Sequence, residues 1–207
     1  MKILICDDHQ IVRDGLKKIL QQLPDITIEE VGDVKEALNI LKNNTFDIIL
    51  QDISLPDRSG LDVLQFVKNK SPNTNVLMLS MHPLEQYAIR ALKLGASGYL
   101  TKNTAAEELI IAINTISKGE KYISKLLAAN MATHLNDNKH EQKHDILSGR
   151  EFEIMINLAN GKSLLEIGNE YFISNKTVST YRSRIMTKMN FRKNTELTKY
   201  CLENKLI

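Results

Sequence analysis

The feature that most constrains this chain is a strict alternation. Five short apolar runs, each of strand length, are separated by stretches whose apolar residues recur at helical spacing. The runs are residues 2–6, 26–31, 46–51, 76–79 and 97–100. Between them, Ile11, Leu16, Ile19, Leu20 and Leu23 mark a helix over residues 9–22. Ala37, Leu38 and Leu41 mark one over 34–43, and Leu61 opens another over 61–69 after the Gly60 turn. Ala88, Ala91, Leu92 and Leu94 mark a fourth that stops at Gly95. Leu109, Ile110, Ala112, Ile113 and Ile116 mark a fifth, closed by Gly119. Strands that alternate with helices imply a parallel sheet in an α/β doubly wound (βα)5 domain.

Right-handed crossovers bring the C-terminal ends of all these strands to one edge, where open α/β sheets bind ligands. The residues at those ends are Asp7 and Asp8, Asp52, Ser80, and Thr101 with Lys102. A carboxylate after one strand is ordinarily a loop or cap residue, and a lone Lys is ordinarily solvated. Three carboxylates, a hydroxyl and an amine at one edge suggest instead the capture of a phosphoryl group. Asp52 is then the nucleophile, and a Mg ion relieves the repulsion between the acids. Lys102 supplies the counter-charge, and Ser80 a hydrogen bond to the phosphoryl oxygens.

Asp7-Asp8, Asp52 with Pro56 four residues on, Ser80 and Lys102 resemble the pattern of bacterial response-regulator receiver domains. Leu55-Pro56-Asp57-Arg58-Ser59-Gly60-Leu61 and Gly98-Tyr99-Leu100-Thr101-Lys102 are similar to the forms of the NarL/FixJ branch. The resemblance covers residues 1–120. It implies that Asp52 is the phosphoacceptor and that Asp7, Asp8, Asp52 and the Ser54 carbonyl hold Mg. It also implies that Ser80 and Tyr99 form a switch pair, in which Tyr99 rotates inward as Ser80 moves toward the phosphoryl group, and that Lys102 is the family's lysine. Gln51 departs from the apolar residue usual before the phosphoacceptor.

The charge divides with the chain. Residues 1–120 hold 13 Lys and Arg against 16 Asp and Glu; residues 121–207 hold 14 against 9. A net of −3 followed by a net of +5 points to a second half that touches a polyanion. Between the halves, residues 121–144 read as a linker. A helix is expected over 124–134, carrying Leu126, Leu127 and Met131, and a polar flexible tether over 136–144. His140 and His144 at i and i+4 read as solvated rather than as zinc ligands. Cys6 and Cys201 are too far apart in sequence to suggest a disulfide framework or a zinc site.

The basic half, residues 145–207, predicts an all-α helix-turn-helix domain of four helices. Ser148 with Glu151, and Ser163 with Glu166, are capping boxes that open the first two helices. A turn at 172–175 precedes a third helix over 176–189, and a fourth covers 194–203. On the third helix Val178, Tyr181, Ile185 and Met189 share a core face, while Lys176, Ser179, Thr180, Ser183 and Thr187 point away, flanked by Arg182, Arg184 and Lys188. Small hydroxyl residues framed by cations suit entry into a major groove. Leu147-Ser148-x-Arg150-Glu151, Gly161-Lys162-Ser163, Glu166-Ile167 and Ser174-Asn175-Lys176-Thr177-Val178-Ser179-Thr180-Tyr181 resemble the LuxR-type helix-turn-helix.

The expectation is a DNA-binding response regulator that is not an enzyme. A sensor histidine kinase phosphorylates Asp52, and the active form is a homodimer on paired promoter half-sites of double-stranded DNA. No apolar run reaches membrane-span length, and the acidic N-terminus is unlike a signal peptide, so the expected compartment is cytoplasmic. Two other readings are a constitutive DNA-binding regulator whose receiver only dimerises, and a Mg-dependent phosphotransferase with an Asp nucleophile.

Overall fold

The computed structural model describes residues 1–81, 85–124, 127–128 and 142–207. They fall into two compact units. The first runs β1 (Lys2–Cys6), α1 (Gln10–Leu20), β2 (Thr27–Val31), α2 (Val34–Asn43), β3 (Ile48–Asp52), α3 (Gly60–Lys70), β4 (Asn75–Ser80), α4 (Glu85–Lys93), β5 (Gly98–Thr101), α5 (Ala105–Ser117) and β6 (Tyr122–Ile123). All strand pairs are parallel, in the order β2-β1-β3-β4-β5-β6.

Side chains alternate across a strand, and both faces are covered, so the central strands are apolar throughout. Ile3, Ile5, Ile48, Leu50, Leu77 and Leu79 pack with Leu16 and Leu20 of α1 and with Leu109, Ala112, Ile113 and Ile116 of α5. By the same alternation Asp52 lies on the α1/α5 side of β3, two residues beyond Leu50. Gln51 lies on the opposite side, with Ile49.

The expected five strands are present, β1 with the expected bounds and the other four shifted by a residue or two at their ends. β3, β4 and β5 run far enough to include Asp52, Ser80 and Thr101. The sixth strand was not expected, because residues 122–123 read as linker. The Tyr122 amide donates to the Ser97 carbonyl at 2.9 Å, and β6 pairs Gly98 with Tyr122 and Tyr99 with Ile123. Gly98 permits this approach: a Cβ there would lie 2.8 Å from the Tyr122 carbonyl oxygen and 2.9 Å from Leu77.

Most of the predicted linker helix and tether lies outside the described residues. Leu127, one of the apolar residues of the expected linker helix, is buried. The described end of the tether departs from a solvated reading: Lys143–Ile146 forms a 3-10 helix. His144 is buried too: its Nδ1 lies 2.9 Å from the Tyr200 hydroxyl and its ring packs against Phe152. Nothing in the polar run signals that one imidazole caps an aromatic cluster. His140 lies outside the described residues.

The second unit consists of α6 (Gly149–Ala159), α7 (Leu164–Glu170), α8 (Asn175–Met189) and α9 (Asn194–Glu203). Both expected capping boxes form: Ser148 with Glu151, and Ser163 with Glu166. Each satisfies two amides that a helix start leaves without partners. Ser174 caps α8 through the Thr177 amide at 3.1 Å. Phe152, Met155, Ile167, Val178, Ile185, Met189, Leu197 and Cys201 are buried. Tyr181, assigned to the core from the helical wheel, is only half-buried and lies beneath the Arg184 guanidinium, 5.9 Å from ring centroid to carbon.

Candidate functional site

The strand ladders place the polar edge. Asp52 pairs with Leu79, Ser80 pairs with Thr101, and the Asp7 amide continues from β1 to the Val31 carbonyl at 3.1 Å. Asp7, Asp52 and Ser80 are buried. Lys102 joins them: its Nζ lies 2.8 Å from Asp52 Oδ2 and 2.6 Å from Asp7 Oδ2. The Lys102 amide donates to the Ser80 carbonyl at 2.7 Å, so its backbone is fixed as well as its charge. The Ser54 amide donates to Asp52 Oδ1 across 3.4 Å.

Burial pushes the Asp52 carboxyl up from 3.8 to about 6; Lys102 opposes the shift and Asp7 reinforces it. Two buried acids sharing one amine remain short of positive charge. At neutral pH Asp52 is still mainly ionised, hence nucleophilic, yet poorly solvated. Lys102 is raised despite burial, because Asp52 and Asp7 favour its charged form. Cys6, buried at the end of β1, is pushed far up by burial and the two acids, which leaves it a packing group.

The donors fit a hard divalent cation. Asp7, Asp8 and His9 each offer a ligand atom, all within 4.8 Å of one another. Asp8 Oδ1 is a buried oxygen that accepts no hydrogen bond among the described residues. Carboxylate oxygens with a backbone carbonyl nearby are the donors Mg²⁺ prefers.

Tyr99 stands on β5 beside Ser80. Its ring is inward and buried, and its hydroxyl hydrogen-bonds the Ser80 side chain. Burial, the dominant effect, holds that phenol up near about 12. Burying an aromatic body while its hydroxyl keeps a partner is favourable without further input.

Three supporting groups escaped sequence reasoning. The Arg13 guanidinium donates to the Asp7 carbonyl at 2.6 Å and to Glu30 at 3.2 Å, holding the loop after β1. Gln51 donates its amide to the Asp52 carbonyl at 2.8 Å. Gly60 closes the loop after β3: its amide donates to Ile53 at 2.6 Å, and a Cβ there would fall 1.8 Å from the Asp52 carbonyl oxygen. The sole signal for Gly60 was a glycine at a helix start.

On α8, Lys176, Thr180, Ser183, Arg184, Thr187 and Lys188 are exposed, and Ser179 and Arg182 half-exposed. The hydroxyls of Thr180, Ser183 and Thr187 donate back to the carbonyls of Lys176, Ser179 and Ser183 at 2.9–3.0 Å. This keeps them satisfied without outside partners. The cations are not equivalent. Lys188 pairs with Glu151, the capping-box acid of α6, at 2.7 Å, and Arg182 donates to Asn194 at 2.9 Å. Among the described residues, Lys176 and Arg184 make no ion pair.

Comparison with known proteins follows the same division. Residues 3–114 match the response regulator receiver domain, and residues 145–201 match the bacterial regulatory proteins of the luxR family. Over its full length the chain is 34% identical to the oxygen regulatory protein NreC of Staphylococcus haemolyticus, covering 99% of it. It is 35% identical to NreC of Staphylococcus aureus, again covering 99%. Among solved structures it resembles the RcsB response regulator of Salmonella typhimurium at 25% identity and a TM-score of 0.60, over 97% of both chains. It also resembles a LuxR-family two-component response regulator from Aurantimonas at 30% identity and a TM-score of 0.62, over 66% of this chain and 98% of that one. Among the described residues no helix is long and apolar enough to cross a membrane. The chain therefore belongs to the response regulators that join a receiver domain to a LuxR-type DNA-binding domain to control transcription.

Proposed function

We propose that Asp52 is the phosphoacceptor of this regulator and that its phosphorylation controls promoter binding by α8. The observation that carries this reading is the ion-paired trio at the sheet edge: buried Asp52 and Asp7 bridged by one Lys102 amine. An Asp52 oxygen attacks the phosphorus of a phosphohistidine on a sensor kinase, or of a small acyl phosphate. An O–P bond forms, the P–N or P–O bond to the donor breaks, and the leaving group takes the electron pair. Asp7, Asp8, Asp52 and the Ser54 carbonyl would hold Mg, which when bound supplies positive charge against the acids and the incoming phosphoryl oxygens. Lys102 is positioned to turn its charge from the Asp52 carboxylate to the phosphoryl group.

The product carries new acceptor oxygens beside Ser80. Ser80 then chooses between them and the Tyr99 hydroxyl it now bonds. Tyr99 is paired in the sheet with Ile123, at the start of the segment that leads to the second unit. A change in the Ser80–Tyr99 bond thus reaches the connecting chain through one strand pair. It is a local event that biases a two-state element, as switches require. The active form is a homodimer whose two α8 helices enter successive major grooves of paired half-sites, and the protein works in the cytoplasm. DNA interaction is described for RcsB, which supports assigning the same partner here.

DNA affinity, measured by fluorescence anisotropy on sequences selected from a random pool, tests this. With acetyl phosphate and Mg²⁺ the wild type tightens its binding, and Asp52→Ala does not. Equal affinities for the two proteins would instead make this a constitutive DNA binder.

A further inference from the structure

We infer that His9 is a metal ligand, and that its imidazole gives the acidic pocket a preference for first-row transition metals over Mg²⁺. The inference rests on the cation site proposed above and goes beyond it in naming a nitrogen donor and a class of ion.

His9 is the N-cap residue of α1, yet its side chain makes no capping hydrogen bond. The ring turns toward the carboxylates instead. Its Nδ1 lies 2.8 Å from Asp8 Oδ1 and 3.5 Å from Asp7 Oδ1. The shorter contact is of ion-pair length, and Asp8 Oδ1 has no other partner among the described residues. Bonds of roughly 2.0–2.2 Å at right angles around one ion put neighbouring donor atoms about 2.8–3.1 Å apart. The spacing of Nδ1 and Oδ1 is that of adjacent ligands on one cation.

The backbone holds the arrangement. The His9 amide donates to Asp7 Oδ1 at 2.9 Å, which orients that carboxylate, and Arg13 holds the Asp7 carbonyl. The imidazole, 60% exposed, can accept an ion arriving from solvent without any rearrangement of the core. A neutral imidazole nitrogen adds little for Mg²⁺, whose ligands are oxygen and water. It adds much for Mn²⁺, Co²⁺ or Zn²⁺.

The test uses the full chain and Mn²⁺. Binding is followed through loss of the free-ion EPR signal, and directly bound nitrogen through electron spin-echo modulation. The wild type is expected to show ¹⁴N modulation. His9→Ala, which alters an exposed side chain and whose folding circular dichroism checks, is expected to lose that modulation. It binds Mn²⁺ about ten-fold more weakly while its Mg²⁺ affinity, from competition, shifts by about two-fold or less. Mn²⁺ bound to the wild type without nitrogen coupling, or with coupling unchanged in His9→Ala, overturns the role of His9 and leaves the oxygen site standing. No Mn²⁺ binding, in wild type or in variants, overturns the cation site and His9 together.

Discussion

The substitution Asp52→Asn is expected to make the metal-free protein more stable at neutral pH. The wild-type carboxyl is buried, and its pKa in the fold is about 6 against 3.8 for the free group. A group whose folded pKa is raised favours the fold below its unfolded pKa and loses that contribution as pH rises through the folded one. For Asp52 the window runs from roughly pH 4 to 6. A shift of about two units, at about 1.4 kcal/mol each, makes ionised Asp52 a penalty of about 3 kcal/mol at pH 7.5 and about 1 kcal/mol at pH 4.5. The carboxamide of the variant cannot ionise, and Lys102 keeps its 2.6 Å contact with Asp7. Urea unfolding followed by far-UV circular dichroism, with a chelator present, should show Asp52→Asn to be more stable at pH 7.5 by up to about 3 kcal/mol, a gain that shrinks towards pH 4.5. A variant no more stable than wild type at pH 7.5, or a gain independent of pH, refutes the claim that burial outweighs Lys102.

The other predictions follow from single contacts. Lys102→Met removes the amine shared by two acids, so the Asp52 titration should rise above about 6, as read by carboxyl ¹³C NMR; an unchanged midpoint contradicts the ion pair. Gly60→Ala drives a methyl into the Asp52 carbonyl and should lower unfolding free energy by at least about 2 kcal/mol in the same urea assay. Arg184→Ala should lower the slope of log affinity against log salt by about one without changing stability. Lys188→Ala, which frees the buried Glu151, should lower stability by about 0.5–1 kcal/mol and change that slope less.

What the sequence showed and withheld has a consistent physical basis. Strand and helix order is written in hydrophobic period, and parallel topology then forces Asp7, Asp52, Ser80 and Lys102 to a common edge. The chain order of those residues was enough to bring them together before any distance was known. The two capping boxes were equally visible, being four-residue patterns with one local solution. β6 was hidden because two residues carry no period, and its pairing depends on the missing side chain of Gly98, far back in the chain. The inward Tyr99 was hidden because rotamer choice is a matter of packing rather than pattern. Lys188 looked like a groove-flanking cation on the helical wheel. Only the fold reveals Glu151 beneath it. His9 carried no signal in the sequence beyond opening a helix, and only the fold shows that its side chain makes no capping hydrogen bond and turns to the carboxylates.

The central claim is that one covalent state of Asp52 is the input to DNA binding. Peptide-resolved mass spectrometry after incubation with acetyl phosphate and Mg²⁺ tests it most directly, with borohydride trapping of the acyl phosphate to fix its position. The account predicts a single phosphoryl group on the intact chain, read after trapping as reduction of the Asp52 side chain to homoserine with loss of phosphate, and neither on Asp52→Asn. Modification at another residue, or no modification in a folded wild-type chain, would contradict it.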